Sequence, residues 1–291
     1  MKPAAFDYWR AESIEDALSQ LASGEGEAKV LAGGQSLGPM LNMRLATPQR
    51  LIDLNDLSEL AYIRDQGDTL EVGPLTRHHQ LAQSPLLRRR CPLLARASQT
   101  IGHYAIRQRG TLGGSLAHAD PAAQLPLVAV TLGAGLELQS ARSRRTVPAQ
   151  EFFVSAMNTS LAPDEIIRSV HFPAATEHEA EAFEIFSRRH GDFAIVAVAC
   201  TLALRDERVM GIRLGVGGVH ATPLNLSAHL QGFVGRQPNM AWISDVAQAV
   251  QDLANPAEDS RIPADYRQDL AGSLTRQALA SALQRARGDA G

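Results

Sequence analysis

Leu31-Ala32-Gly33-Gly34-Gln35-Ser36, with Leu51-Ile52-Asp53-Leu54 twenty residues on, decides how the first part of this chain folds. Lys29-Val30-Leu31 reads as a buried strand running straight into a glycine pair, and Met40, Leu41 and Met43 begin a helical pattern behind it. Upstream, Ser13 stands as a helix cap, with Glu15 and Asp16 in the first turn and Ile14, Ala17, Leu18 and Leu21 on one face. Gly24 and Gly26 end that helix, strand Ala28–Leu31 follows, and Leu51–Leu54 is a further strand. The strand–helix alternation predicts a small α/β lobe with parallel pairing.

A second glycine loop, Thr111-Leu112-Gly113-Gly114-Ser115, follows a basic stretch. Without Cβ atoms, paired glycines let the backbone approach a ligand closely and aim consecutive N–H groups at it. Such a nest binds an anion with no cationic side chain, and two nests in one domain suit a dinucleotide pyrophosphate. Turns and tight packing are the competing explanation. In the first loop the donors would be Gly33, Gly34, Gln35 and Ser36, helped by the dipole of the following helix. Neither loop has GxGxxG spacing, and Gly215-Val216-Gly217-Gly218 lacks a third glycine and a following helix signal, so it reads as strand-end packing.

Beyond Ala61 the texture changes. Ala61–Arg64 and Thr69–Val72 flank a Gln66-Gly67-Asp68 turn as a hairpin, and 81–98 reads as helix interrupted at Pro92. Asp120-Pro121 looks like an N-cap and first helical position, with the helix running through Leu125, Val128 and Leu132. Strands are predicted at 136–139, 166–172, 194–204 and 209–219, and helices from Leu224, Ala241 and Asp265. The acidic stretch 173–182 is the candidate linker, which divides the chain into domains 1–176 and 177–291.

With 291 residues, 45% apolar content and net charge −3, the chain can bury a sizeable core, and nothing suggests nucleic-acid binding. No run is long and apolar enough for a membrane span, and the N-terminus has no signal-peptide core, so a cytoplasmic protein is expected. Cys91 and Cys200 are too few for an iron–sulfur cluster and read as buried thiols. The adjacent His78-His79 lacks metal-site spacing and reads as surface or capping histidines, while His103 and His118 flank the second loop. Arg142–Arg145 reads as a solvated turn or a partner-facing cluster. No nucleophile elbow, Walker sequence or carboxylate pair is visible, as expected where a cofactor carries the chemistry.

The segments LAGGQSLGPMLNMRLATPQRLIDLN (31–55) and TIGHYAIRQRGTLGGSLAHADPAAQLP (100–126) carry a specific resemblance, together with the start at 2–8, the stretch 158–173 and Ser187–Ala194. In order over most of its length, the chain resembles the FAD-binding medium subunit of molybdenum hydroxylases, the carbon monoxide dehydrogenase and xanthine dehydrogenase family. That resemblance implies an α+β fold: a two-lobed PCMH-type FAD-binding domain, with a small α/β lobe and a larger mixed lobe, then a C-terminal antiparallel sheet with helices. It implies that Ala32, Gly33, Gly34, Gln35 and Ser36, with Thr111, Leu112, Gly113, Gly114 and Ser115, wrap the FAD pyrophosphate. It places Ile101 at the adenine end, Asp120 and Gln124 as polar contacts, and Phe193 and Leu161 against the isoalloxazine. The family often has Asn or Asp at Ser115, an acid at Gln124 and a lysine between Phe183 and Arg188, all of which this chain lacks.

The implied role is electron transfer from [2Fe–2S] clusters of a small partner subunit to FAD and on to an external acceptor. Substrate oxidation would occur on a large molybdopterin subunit of the same hetero-oligomer. The alternatives are a self-sufficient flavin oxidase and a non-catalytic assembly subunit.

Overall fold

The computed structural model describes residues 1–288. The first lobe is built from β1 (Asp7–Arg10), α1 (Ile14–Ser23), β2 (Ala28–Leu31), α2 (Leu37–Asn42) and β3 (Arg50–Asp53). Its sheet has the order β1-β3-β2, and both pairings are parallel. The Ser13 hydroxyl accepts from the Asp16 N–H at 3.1 Å, capping α1 as its sequence predicts. Ala17, Leu18 and Leu21 then pack on Ile52 and Leu54. At six residues, α2 is a stub that adds little dipole to the loop before it.

The second lobe runs from β4 (Ile63–Asp65) and β5 (Thr69–Val72) through α3 (His78–Gln83), α4 (Pro85–Arg90), α5 (Pro92–Gln99), α6 (Tyr104–Arg109), α7 (Leu112–His118) and α8 (Gln124–Leu132). It continues with β6 (Gly135–Gln139), β7 (Arg144–Pro148), α9 (Ala149–Phe152), the small hairpin β8 (Phe153–Ser155) and β9 (Asn158–Thr159), and β10 (Ile166–Pro173). Its antiparallel sheet has the order β4-β5-β10-β6-β7. The helix at 81–98 is broken twice, since Pro85 as well as Pro92 opens a new segment. Helix α8 begins at Gln124, four residues after the expected cap. Asp120 instead closes an Asx turn by accepting from the Ala122 N–H at 2.8 Å.

The third lobe consists of β11 (Glu179–Phe186), β12 (Val196–Arg205), β13 (Arg208–Gly217), β14 (Leu224–Asn225), α10 (Met240–Leu253) and α11 (Ala264–Ala286). Leu224 therefore starts a strand rather than a helix, because its register is set by pairing with Val216. Alternate residues of β12 serve two cores: Ala197 and Ala199 join the second lobe's core, while Val196, Val198, Cys200 and Leu202 face α10 and α11. A sheet covered on both faces needs a near-continuous apolar run, which 194–204 supplies with Thr201 as its one polar residue. Gly215 explains the close seat of α8 on β13, since a Cβ there would lie 2.1 Å from Thr131 Oγ1.

Within the candidate linker 173–182, residues 176–178 form an exposed turn, while Pro173 ends β10 and 179–182 belong to β11. Glu181 pairs with Arg96 of α5 at 2.8 Å and Glu179 lies 3.8 Å from Arg213, so the acids staple β11 to its neighbours. Cys91 and Cys200 are buried and free, and burial pushes both thiols up to about 12. The arginine turn is also structured, with Arg145 gripping the buried Glu165 through two contacts at 2.7 Å.

Candidate functional site

The two glycine loops meet across one cleft of about 640 Å³, in the size range of small-molecule sites. Ala32, Gly33, Gly34, Gln35 and Ser36 line it from the first lobe, and Thr111, Gly113, Gly114 and Ser115 from the second. Ile101, Asp120, Gln124, Leu161 and Phe193 line it as well. Leu112 is the exception: it is fully buried in the second lobe's core, and its N–H donates to Thr76 O at 3.0 Å.

The loops differ in what they offer. Among the described residues, no acceptor is found for the N–H groups of Gly33, Gly34, Gln35 and Ser36. Gly34 has φ +68°, a left-handed conformation that side chains resist, and the Gln35 amide holds Gly33 O at 3.0 Å. In the second loop the N–H groups are already engaged. Gly113 donates to Pro74 O at 2.8 Å, Gly114 to Thr111 Oγ1 at 3.1 Å, and Ser115 to Thr111 O at 3.1 Å. The expectation of two donor nests is corrected on this point: the first loop is a nest, and the second is a close-packed turn.

Close approach demands glycine at 33, against backbone, and at 113, against Pro74. A Cβ on Gly33 would lie 2.4 Å from Arg109 O and 2.8 Å from Gly110 Cα. One on Gly113 would lie 2.5 Å from Pro74 Cβ. Gly114 has more room, with Thr111 Oγ1 at 2.8 Å and Ala32 Cβ at 3.9 Å from the same position.

His78 is not a surface histidine. It is buried in the cleft wall, its Nε2 donates to Thr111 O at 3.0 Å, and its Nδ1 has no partner within the described residues. A carbonyl can only accept, so this contact selects the neutral tautomer with the proton on Nε2. Burial lowers its pKa to about 4, against the raising effect of the Thr111 carbonyl. Nothing local in the sequence marks it, since the segment it packs on, including Gly110, whose Cβ would fall 2.6 Å from the imidazole, is more than thirty residues away. No group of three or more His, Cys, Asp or Glu among the described residues could hold a metal ion.

Phe193 also lines the cleft and is 59% exposed. Gly191 beside it rests on His103, where a Cβ would lie 2.5 Å from the ring. Leu161 sits half-buried on a loop tied down by Glu165, which accepts from the Ala162 N–H at 2.8 Å. Asp120 and Gln124 line the same cleft.

Residues 4–175 match the family model described as the FAD binding domain in molybdopterin dehydrogenase. Residues 181–282 match the CO dehydrogenase flavoprotein C-terminal domain. The chain is 37% identical over 286 residues to the caffeine dehydrogenase subunit beta of Pseudomonas sp. (strain CBB1), covering 98% of this chain and 97% of that one. It is 38% identical over 288 residues to the 6-hydroxypseudooxynicotine dehydrogenase complex subunit alpha of Paenarthrobacter nicotinovorans, covering 99% and 97%. Among solved structures, a chain of carbon monoxide dehydrogenase from Hydrogenophaga pseudoflava superposes with a TM-score of 0.94 at 35% identity, covering 98% of this chain and 99% of that one. The chain belongs to the family of FAD-binding flavoprotein subunits of molybdopterin dehydrogenases.

Proposed function

We propose that this chain is the FAD-carrying electron-transfer subunit of a heteromeric molybdenum hydroxylase, and that the cleft between its glycine loops holds the cofactor. The observation that carries this reading is the run of unengaged N–H groups at Gly33–Ser36, which opens on a cleft long enough to reach Phe193. Four adjacent donors with no acceptor of their own fit an anionic diphosphate. The second loop fits the same group by leaving space, since Gly113 and Gly114 bring no side chain to that wall.

In this assignment the N–H groups of Gly33, Gly34, Gln35 and Ser36 donate to the pyrophosphate, while Thr111, Gly113, Gly114 and Ser115 close over it. Ile101 supplies an apolar surface for the adenine end. Asp120 and Gln124 supply polar partners, and Leu161 and Phe193 shelter the ring system. Leu112 contributes by anchoring its loop in the core. FAD, when bound, supplies a link between one-electron clusters and an external acceptor. The protein's part is to bind, orient and tune it, so no acid or base on this chain is required.

The partners of this reading are a large molybdopterin subunit that selects and oxidises the substrate and a small subunit with two [2Fe–2S] clusters. Domains 1–176 and 177–291 are the proposed division of the chain. No helix among the described residues is long and apolar enough to cross a membrane, and a cytoplasmic setting is the proposed location.

An absorption spectrum of the purified chain, taken before and after acid precipitation, tests the assignment. Flavin bands that pass into the supernatant and are identified as FAD are the expected result. Colour retained in the pellet would mean a covalently tethered flavin and an oxidase. Failure to bind added FAD would leave only an assembly role.

A further inference from the structure

Behind the two loops lies a hydrogen-bonded chain that bonds the first loop and the backbone just ahead of the second, and whose own members do not line the cleft. Asp53, at the end of β3 and 9% exposed, accepts from Tyr8 Oη at 2.6 Å and from the Asn55 N–H at 2.8 Å. The Asn55 side-chain amide also donates to Asp53, which fixes which way that amide faces. Its Nδ2 donates to Ala32 O at 2.8 Å, in the first loop. Its Oδ1 accepts from Arg77 Nη2 at 2.7 Å, and Arg77 Nη1 donates to Arg109 O, just ahead of the second loop. That carbonyl is the atom from which a Cβ on Gly33 would lie only 2.4 Å away. Asn55 and Arg77 are both absent from the cleft lining.

We propose that Asn55 and Arg77 form a positioning clamp that sets the spacing of the two glycine loops for a pyrophosphate-bearing cofactor. The proposal rests on the reading of the cleft as the FAD site. Its physical basis is the planar guanidinium. One arm holds a side chain bonded to the first loop, and the other holds the backbone leading to the second. Arginine can bridge two fixed acceptors in this way, whereas a lysine ammonium on a flexible stem is a point charge without the rigid fork. Asp53 and Tyr8 act one step further back, holding the Asn55 amide so that its donor faces Ala32 and its acceptor faces Arg77.

The test measures FAD binding by the full-length chain after removal of flavin, using quenching of flavin fluorescence. Wild type is compared with Arg77→Ala, Arg77→Lys, Asn55→Ala and the Asn55→Ala/Arg77→Ala pair. The expected result is a Kd raised about 10- to 100-fold by each single change, the range seen when outer partners of metal ligands are removed. The double variant should be no worse than the more severe single one, because the two residues act as one unit. Arg77→Lys should not restore affinity. The visible spectrum at saturating FAD should be unchanged, since the clamp lies at the pyrophosphate end, and the melting temperature of the flavin-free chain should stay within a few degrees of wild type.

An unchanged Kd in Arg77→Ala would overturn the clamp. So would full rescue by lysine, which would show that charge alone matters. A rise in Kd accompanied by collapse of the flavin-free fold would reduce the network to a structural staple. If Arg77→Ala does not fold, Asn55→Ala and Arg77→Lys decide the matter. Absence of FAD binding by wild type would instead sink the reading of the cleft, and the clamp with it.

Discussion

The two glycine loops look alike as sequence, Ala-Gly-Gly-Gln-Ser and Leu-Gly-Gly-Ser, yet the fold uses them in opposite ways. In the first, the N–H groups of Gly33 to Ser36 have no acceptor among the described residues. In the second, Leu112, Gly113, Gly114 and Ser115 all donate within the chain. The first offers donors to a ligand and the second offers proximity. A glycine pair therefore signals close approach in general. Whether ligand or protein comes close depends on where the neighbouring carbonyls lie.

The largest effect is expected where the loops touch each other. Gly33→Val puts a branched side chain where a single carbon would already lie 2.4 Å from Arg109 O, against backbone that cannot swing aside. The loops must separate, and the purified variant should retain no flavin. The cause is collision between the loops rather than filling of the pyrophosphate space. Full flavin occupancy in Gly33→Val would show that the observed approach is not required.

His78 supports the second loop from below and should make it sensitive to acid. Its pKa is lowered to about 4 in the folded chain, by burial first, from an ordinary value near 6.5. Between those values the unfolded chain holds more protons than the folded one, so stability rises with pH across the window and is lost as pH falls through it. The full difference is about 3 kcal/mol, taking roughly 1.4 kcal/mol per unit. Protonation would also place a charge beside Gly110 and Thr111 in the cleft wall. His78→Gln keeps a donor for Thr111 O and removes the titration. Urea unfolding at pH 4 and pH 7 should show a smaller difference in the variant than in wild type. An equal pH slope in both would mean that His78 is not the group responsible.

How much of this was legible in the sequence depends on how local the cause is. The Ser13 cap, strand 28–31 and the parallel first lobe were readable because cap, period and turn signals all lie within a few residues. Strand β12 was readable from its near-continuous apolar run, but not its covering on both faces. Asp120 misled because Asp-Pro fits an Asx turn as well as an N-cap, and only the Ala122 N–H contact separates them. The pairing of the acids at 179 and 181 was not legible in the candidate linker because their partners, Arg213 and Arg96, are far away in sequence. The same holds for the site. The resemblance named residues of both loops together with Ile101, Asp120, Gln124, Leu161 and Phe193, but neither the buried place of His78 in the cleft wall nor Arg77 behind the loops. Arg77 reaches acceptors 22 and 32 positions away, and no local pattern encodes that.

The finest contrast is between Gly34→Ala and Gly114→Ala. At Gly34 the added carbon points at Leu31 Cδ1, 3.3 Å away, and the main penalty is the left-handed backbone at φ +68°, about 1–2 kcal/mol for an L-residue. Relaxing that strain would turn the first loop's N–H groups, so FAD affinity should fall together with stability, and Gly34→Asn should recover part of both because asparagine tolerates this region. At Gly114 the added carbon presses only on Thr111 Oγ1 at 2.8 Å, a side chain that can rotate at the expense of one cap worth about 1 kcal/mol. There the flavin-free chain should lose no more than about 1 kcal/mol, while FAD binding weakens beyond what that loss explains, because the methyl group occupies space that the second loop leaves for the pyrophosphate. Paired measurements of melting temperature and FAD affinity would separate the two. If Gly114→Ala binds FAD as tightly as wild type, the second loop does not face the cofactor, and its glycines serve packing alone.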